Sequence, residues 1–282
     1  MAPSFIEQPI GGWSAAPVAR RAWWKEASVY QIYPSSFKDS NHDGIGDIPG
    51  ILSKLDYIKE LGVDAIWLCP VYKSPKVDMG YDIADYHEID SDYGNLADLD
   101  RLIAAAHERG LNVVMDLVVN HTSDQHEWFQ KSRSSKDNEY RQWYIWRKPR
   151  YDSQGNRYPP NNWWSYFHGS AWEYDEVTDE YYLHIFCAEQ PDLNWEHPPL
   201  RRAIHDIMRF WLERGGLPDA PVTDRTTTWQ QATIHYAAGP RLHEYLKEIG
   251  AILEEYGAFS VDGTFIFTLC FQDSSREEGW IF

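Results

Sequence analysis

Polar side chains close the most apolar stretch of the chain, residues 111–123. The stretch is aliphatic without polar alternation, a pattern typical of a strand buried on both faces of a parallel sheet. Asp116 interrupts it, and Asn120 and His121 follow its end. Because α/β barrels carry their chemistry at the carboxyl ends of parallel strands, this cluster is a candidate active site. For a strand taken alone, a core strand with a solvated histidine is the simpler interpretation.

A second polar group, which contains Asp78, Tyr81, Asp82 and Asp85, follows an earlier apolar run at residues 65–68. A carboxylate there could accept hydrogen bonds from sugar hydroxyls, and the ring of Tyr81 could stack beneath a sugar. The alternative is a solvated acidic loop, which would be the default if these residues stood alone. The choice between the two interpretations depends on the rest of the chain.

Oxygen-bearing side chains alternate through residues 39–47. Hard cations such as Ca²⁺ and Mg²⁺ prefer oxygen ligands in such loops, with glycine where the chain must turn. The Glu that closes an EF-hand is missing, since Gly50 stands at its position, so an EF-hand is excluded. The alternative is an Asx-turn loop that only caps the following helix. The predicted cation ligands are the side chains of Asp39, Asn41, Asp43 and Asp47 and the carbonyl of Ile45.

Composition restricts the class of partner. The 282 residues carry a formal net charge of −17, which argues against nucleic acid and membrane as partners. A neutral or cationic small molecule is compatible with this charge. The 14 Trp residues could pack against the apolar faces of sugars, although most Trp residues in any protein are simply part of the core. Three distant cysteines, and no apolar run in residues 1–20, predict a cytoplasmic protein without a secretory signal. No apolar run approaches membrane-spanning length.

Short apolar runs alternate with amphipathic stretches in the first part of the chain. This alternation, at the spacing of βα units, predicts an α/β fold with a parallel sheet. The predicted strands are residues 28–33, 65–68 and 111–119, and the predicted helices are residues 48–61 and 95–109.

The alternation stops at residue 126. The segment that follows is rich in Trp, Tyr, Asn and Pro and is too long for an ordinary connection, which predicts an inserted subdomain. We therefore divide the chain into three parts. They are residues 1–125, the N-terminal part of a barrel, residues 126–195, the inserted subdomain, and residues 196–282, a partial continuation with a divergent tail.

The continuation contains fewer strands than a barrel needs. A helix is predicted at residues 198–214, but no strand is identifiable after it, because two prolines interrupt residues 216–224. A further helix is predicted at residues 240–256, and strands are predicted at residues 258–261 and 264–271. A closed (β/α)₈ barrel has eight strands, so the predicted barrel is incomplete.

Several motifs occur in one order along the chain. They are Trp-Trp-Lys-Glu from residue 23, Tyr-Gln-Ile-Tyr-Pro from residue 30, the loop at residues 39–47, Asp-Met-Gly-Tyr-Asp from residue 78, Asp-Leu-Val-Val-Asn-His-Thr-Ser from residue 116 and Gln-Pro-Asp-Leu-Asn-Trp from residue 190. With these motifs, residues 23–261 resemble the family 13 glycoside hydrolases, in particular the oligo-1,6-glucosidases and maltase-like α-glucosidases of fungi. The resemblance implies a (β/α)₈ TIM-type barrel with a small domain inserted after the third strand.

The resemblance also implies roles for individual residues. Asp78 and His121 would contact the glucose at the non-reducing end of the substrate, and Tyr81 would be the surface on which that ring stacks. Phe186 and Gln190 would form a wall contributed by the insertion. The implied substrate is a short α-glucosidic oligosaccharide.

The sequence departs from the family where the catalytic residues should be. In the family, Asp116 would pair with an arginine on the fourth strand, in the block that also carries the nucleophile. Here Gly216 leads directly to Leu217, and no such block is present. The family acid follows the fifth strand, but Val261 is followed by Asp262, a shorter carboxylate in an unrelated context. We therefore assign no catalytic residue, and retaining hydrolysis through a nucleophile and an acid should not proceed.

Three hypotheses remain for the function. The chain is an α-glucosidase-type hydrolase by descent, a non-catalytic remnant that binds sugar or a partner, or an incomplete gene product. Because the motifs on both sides of the gap are intact, a misplaced exon boundary or a small deletion is the expected cause. The full transcript should then encode an extra segment after residues 214–216 and a Glu shortly after Val261.

Overall fold

The computed structural model describes residues 26–214, 242–255 and 265–270. The strands are β1 (Val29–Ile32), β2 (Ala65–Leu68), β3 (Tyr72–Lys73), β4 (Asp85–Ile89), β5 (Asn112–Val118), β6 (Trp146–Arg147), β7 (Arg150–Tyr151), β8 (Arg157–Tyr158), β9 (Trp172–Asp175), β10 (Glu180–Leu183) and β11 (Phe265–Cys270). The α-helices are α1 (Pro34–Phe37), α2 (Ile48–Leu52), α3 (Leu55–Glu60), α4 (Leu96–Glu108), α5 (Glu127–Ser134), α6 (Pro198–Arg214) and α7 (Leu242–Glu255), and one 3₁₀ turn spans Arg141–Trp143.

The central sheet is parallel, with the strand order β1-β2-β5-β11. Strand β5 lies between β2 and β11 and is buried along nearly its whole length, which explains its apolar sequence without alternation. The strands predicted near β1, β2, β5 and β11 are confirmed. Among the described residues, the sheet has four strands.

The predicted single helix at residues 48–61 was wrong, because the structure divides it into α2 and α3. The backbone leaves the helical conformation at Lys54, where φ is −114° and ψ is 7°. The other helices match their predictions closely. Helix α4 begins with a capping box in which Asn95 and Asp98 satisfy each other's backbone N–H groups.

The segment between β5 and α6 has a sheet of its own, three antiparallel strands in the order β6-β10-β9, and a separate hairpin of β7 and β8. A small apolar cluster supports it, which consists of Ala171, Trp172, Tyr181 and Leu183. The two ends of the segment run antiparallel beside each other, since the Leu193 N–H donates to the Asn120 carbonyl and the Asp124 N–H donates to the Glu189 carbonyl. The segment therefore leaves and re-enters the sheet at one place.

Helix α6 closes one side of the main core. Trp211 is fully buried, and its Nε1–H donates to the Tyr86 carbonyl at 2.8 Å. The Arg201 guanidinium connects α6 to Glu248 of α7 at 2.9 Å. Residues 215–241, where no strand was identifiable, and residues 256–264, which contain the strand predicted at 258–261 and Asp262, lie outside the described residues. No helix in the described part of the chain is long and apolar enough to cross a membrane.

Candidate functional site

The carboxylate of Asp116 lies near the carboxyl end of β5 and is 2% exposed. The indole N–H of Trp67, on the neighbouring strand β2, donates to its Oδ1 at 2.9 Å. The hydroxyl of Tyr81 donates to its Oδ2 at 3.1 Å. Burial outweighs these two hydrogen bonds and raises the pKa of Asp116 to about 7. The arginine that the resemblance implies for Asp116 would belong to a fourth-strand block, and the donors in this structure are Trp67 and Tyr81.

The loop that carries Asp78 and Tyr81 is fixed from within. The buried carboxylate of Asp82 accepts hydrogen bonds from the backbone N–H groups of Val77 (2.9 Å) and Asp78 (3.0 Å). Gly80 has a φ of +100°, and a Cβ atom there would lie 3.0 Å from the Pro70 carbonyl oxygen, so a side chain is disfavoured. Asp82 therefore fixes the backbone of the loop at Val77 and Asp78.

Asp78 is partly buried, and its Oδ2 accepts a hydrogen bond from Nε2 of Gln190 at 2.9 Å. Burial raises the pKa of Asp78 above its ordinary value. The hydrogen bond from Gln190 stabilises the charged carboxylate and so lowers the pKa, but burial has the larger effect. Gln190 is fully buried, and its Oε1 accepts the Cys187 N–H at 3.0 Å, which assigns the orientation of the amide.

His121 is 2% exposed, and burial lowers its pKa to about 4, so the ring is neutral at pH 7. Its Nε2 lies 3.1 Å from the Tyr81 carbonyl, and its Nδ1 lies 3.3 Å from Nδ2 of Asn120. Nε2 of Gln190 lies 3.2 Å from the Nε2 atom of His121.

The insertion contributes an aromatic wall. The ring of Phe186 meets the ring of His121 edge-on, with centroids 5.0 Å apart. The rings of Tyr166 and Phe167 also lie beside the Phe186 ring, with centroids 6.0 Å and 6.1 Å from its own. A sugar has polar edges and apolar faces, and a wall that combines rings with hydrogen-bonding groups suits both.

The structure brings the six predicted substrate-binding residues into one connected group. The group combines the ends of β2 and β5 with the returning end of the insertion, and its members are Asp78, Tyr81, Asp116, His121, Phe186 and Gln190. The residue roles themselves remain predictions. Asp78 and Tyr81 are the partly exposed members of the group, and the Asp78 carboxylate is a hydrogen-bond acceptor of the kind that binds hydroxyls.

Sequence reasoning missed Trp67, the donor that holds Asp116. The only available signal was an indole N–H within the four apolar residues of β2, because a buried Trp N–H normally finds an acceptor. It also missed Tyr166 and Phe167, which stand in an aromatic stretch that composition alone could not assign to the site.

The predicted cation loop lies apart from this group. Asp39 accepts backbone hydrogen bonds from Asn41 at 3.0 Å and Gly44 at 2.9 Å, and Asp43 accepts one from Ile45 at 2.7 Å. The hydrogen bond from Gly44 is the main reason that the pKa of Asp39 lies below its ordinary value. Side chains of this kind suit a hard cation, since they are oxygen donors at alternate positions that are exposed or partly exposed.

Asp47 ends the same loop as a helix cap. Its Oδ1 accepts the Gly50 N–H at 2.6 Å, and its Oδ2 accepts the Ser40 hydroxyl at 2.7 Å. A Cβ atom on Gly50 would lie 1.9 Å from the Lys38 carbonyl oxygen, so no Glu could stand at the position that closes an EF-hand. Within the described residues, no three His, Cys, Asp or Glu side chains are grouped as metal ligands.

The sequence profile of the alpha-amylase catalytic domain matches residues 31–277. The match extends beyond Val261, so the expectation that the resemblance ends there was wrong. The α-glucosidase of Schizosaccharomyces pombe is 60% identical over 255 residues, which cover 85% of this chain and 44% of that protein. The oligo-1,6-glucosidase IMA5 of Saccharomyces cerevisiae is 55% identical over 245 residues, 80% of this chain and 42% of that protein.

Solved structures give the same result. Isomaltulose synthase SmuA from Protaminobacter rubrum superposes with a TM-score of 0.72 and 47% identity over 83% of this chain and 43% of its own. Trehalose-6-phosphate hydrolase TreA of Bacillus licheniformis superposes with a TM-score of 0.72 and 45% identity, over 83% of this chain and 43% of its own. These neighbours are TIM-barrel enzymes, which confirms the predicted fold class, an incomplete barrel. The chain spans less than half the length of these relatives.

Proposed function

The chain belongs to the alpha-amylase catalytic domain family, and from that premise we propose a specific role for its buried polar group. The group forms the wall that holds the non-reducing-end glucose of a short α-glucosidic oligosaccharide, such as maltose or isomaltose. Relatives named α-glucosidase and oligo-1,6-glucosidase support this class of substrate. The proposed partners include no nucleic acid and no membrane.

One observation carries the proposal, the connection from Asp78 through Gln190 to His121. Gln190 belongs to the insertion, yet its amide donates to Asp78 at 2.9 Å and lies 3.2 Å from the His121 ring. Buried polar groups joined across so many residues are costly to arrange unless every member is satisfied. A ligand that supplies hydroxyls can use the remaining lone pairs of Asp78, because each carboxylate oxygen accepts more than one hydrogen bond.

The geometry suggests how the wall orients a glucose ring. The carboxylate of Asp78 accepts hydrogen bonds from ring hydroxyls, and these bonds are stronger than neutral ones because the acceptor is charged. His121 remains neutral, so it adds no cation that would pair with Asp78. The hydroxyl of Tyr81 is engaged with Asp116, which fixes the phenol ring against which the sugar stacks.

We propose that this chain binds sugar without hydrolysing it. Retaining glycosidases need a nucleophile and an acid/base on opposite sides of the glycosidic bond. The positions at which the motifs would place those residues, after Gly216 and after Val261, lie outside the described residues. In the family reaction, the residues described here would bind and orient the substrate, and the two missing carboxyl groups would supply the chemistry.

An activity assay tests this proposal. The purified chain should release no glucose above background from maltose, isomaltose or an aryl α-glucoside, while maltose should bind in a manner that depends on Asp78. Turnover that is lost in Asp262→Ala would show that Asp262 acts as a replacement carboxylate and would overturn the proposal of inactivity. The absence of sugar binding by a folded sample would overturn the proposed binding role.

A structural cation is a separate part of the proposal. We propose that Ca²⁺ or Mg²⁺ binds the loop through Asp39, Asn41, Asp43, the carbonyl of Ile45 and Asp47. The support is the alternate spacing of the oxygen donors and the exposure of Asn41 and Asp43. The ion would tie the loop to the start of α2 and has no part in the sugar chemistry.

A further inference from the structure

A group of exposed aromatic side chains lies on the loop between β8 and β9. We call it the aromatic rim, and it consists of Trp163, Trp164, Tyr166 and Phe167. Trp164 is 72% exposed, the most exposed large apolar side chain among the described residues. Single exposed apolar residues are ordinary, but four exposed aromatic side chains within five positions concentrate apolar surface, and such concentrations mark binding surfaces.

The rim is held in place by backbone and hydroxyl contacts. The Ser165 hydroxyl donates to the Phe186 carbonyl at 2.7 Å, and the Tyr166 N–H donates to the Ile185 carbonyl at 2.8 Å. Trp164 forms an isolated antiparallel bridge with Ser170. These contacts fix the backbone around Trp164, so its indole is presented to solvent from an anchored position.

The rim continues the wall of the site. The Tyr166 ring stacks on the Phe186 ring at an interplanar angle of 28°, and the Phe186 ring in turn contacts the His121 ring. Tyr166 and Trp164 stand two positions apart, on either side of the buried Ser165. A ligand that begins against His121 and leaves along Phe186 would therefore reach the rim next.

Trp163 differs from Trp164 in its surroundings. Its ring stacks on Trp172 with centroids 6.2 Å apart and planes inclined by 26°. The indole of Trp172 is fixed in turn by Asn161, whose Oδ1 accepts its N–H at 2.7 Å. One face of Trp163 is thus covered by its own subdomain, whereas Trp164 offers the larger exposed area.

We propose that Trp164 is a stacking platform for a further glucose unit of the oligosaccharide, beyond the unit held by Asp78 and His121. The inference rests on the proposed function and deepens it, because it assigns a chain-length preference to the insertion. The occupant is a neutral sugar ring, whose apolar face suits an indole and whose hydroxyls remain in water. Trp164 then favours longer oligosaccharides over glucose.

Titration calorimetry or saturation-transfer NMR on the whole chain tests this inference, with glucose, maltotetraose and isomaltotetraose as ligands. Trp164→Ala should weaken binding of at least one tetrasaccharide by about threefold to tenfold, as expected for one aromatic stacking contact, and leave glucose binding unchanged. Trp164→Phe should restore part of the difference. Tyr57→Ala is the matched control, since Tyr57 is a 50% exposed aromatic residue of α3 outside the site.

The outcomes separate the two proposals. If glucose binds through Asp78 but neither tetrasaccharide binds more tightly, or if Trp164→Ala changes nothing, the platform is overturned and the proposed function stands. If Trp164→Ala also loses glucose, Trp164 supports the fold or the wall, and the platform is again overturned. If no sugar binds to the folded chain, the proposed function and this inference fail together.

Discussion

Two acidic regions of this chain place aspartate carboxylates in opposite environments. In the loop around Asp39, the carboxylate is partly exposed and accepts N–H groups from residues two to five positions away. In the buried polar group of the candidate site, Asp116 accepts hydrogen bonds from Trp67 and Tyr81, which are 49 and 35 positions away. The pKa of Asp39 is lowered, whereas the pKa of Asp116 is raised to about 7.

The difference shows how burial changes the pKa of a carboxyl group. Both carboxylates have donors, but Asp116 is deeply buried, and the cost of burying its charged form outweighs its two neutral donors. The loop is stabilised by local contacts that form with the turn itself. The buried polar group of the candidate site depends on distant residues that meet only when the barrel strands and the insertion are packed together.

The largest expected effect separates the two regions by function. Asp78→Ala should remove detectable binding of maltose, because hydrogen bonds to a charged acceptor are worth about 1.5–3 kcal/mol each and two hydroxyls can share the carboxylate. Calorimetry with maltose measures the loss. Asp39→Ala is the matched control and should bind maltose as the unmodified chain does. An equal loss of maltose binding in both variants would mean that the loop around Asp39 also contributes to sugar binding.

The second prediction concerns pH. Because the folded pKa of Asp116, about 7, exceeds its ordinary value of 3.8, its contribution to stability is full below the lower value and is lost as pH rises through the higher one. Relative to Asp116→Asn, the unmodified chain should therefore lose stability between about pH 4 and pH 8, by on the order of 4 kcal/mol at most, since each pKa unit is worth about 1.4 kcal/mol.

Urea unfolding of the unmodified chain and of Asp116→Asn across that range measures the difference in their free energies of unfolding. The titrations of His121 and His126 cancel in this difference, because both proteins contain these residues. Asp39→Asn provides the opposite sign. The lowered pKa of Asp39 makes its contribution present above the ordinary value and lost as pH falls, so that variant should gain relative stability in acid. Parallel curves for the unmodified chain and Asp116→Asn would show that Asp116 does not titrate as inferred.

The third prediction concerns the loop as a cation site. At a hundredfold excess of free ion over Kd, Ca²⁺ or Mg²⁺ should stabilise the chain by about 2.7 kcal/mol. Thermal unfolding with and without the ion measures the effect, and Asp43→Ala should abolish it. Glu60→Ala removes an acid outside the loop and should keep the full shift. An unchanged melting temperature in a folded sample would leave the loop as a helix cap alone.

The smallest expected effect is the cap itself. Asp47→Ala removes the acceptor of the Gly50 N–H and of the Ser40 hydroxyl, and losing an N-cap typically costs about 1 kcal/mol. Asp47→Asn keeps one side-chain oxygen for the Gly50 N–H and should lose less. Urea unfolding at fixed pH ranks the two variants, and an Asn variant as unstable as the Ala variant would assign the effect to charge.

The sequence was most informative where partners are local. The polar ends of β2 and β5 and the start of α2 at Asp47 could be predicted, because a strand end or a cap depends on a few neighbouring residues. The division of the helix at Lys54 was not predicted, since apolar spacing continues through residues 48–61 without a break.

Long-range partners were much harder to predict. No local pattern announces that β11 lies beside β5, because an apolar strand does not specify which neighbour it pairs with. The bond between Gln190 and Asp78 joins residues 112 positions apart, and only the family motifs indicated that both face one site. Trp67 could not be predicted as a donor for the same reason, since its hydrogen bond to Asp116 forms only when β2 and β5 are adjacent.

The antiparallel pairing of the two ends of the insertion has a consequence for engineering. Asn120 and Leu193 are directly hydrogen-bonded, so the insertion is joined to the sheet at two adjacent points, as tolerated domain insertions are. The insertion could therefore be exchanged for that of a relative with little displacement of β5. Phe186, Gln190 and the aromatic rim all belong to the insertion. Such an exchange would therefore transfer ligand preference in one step and leave the barrel strands unchanged.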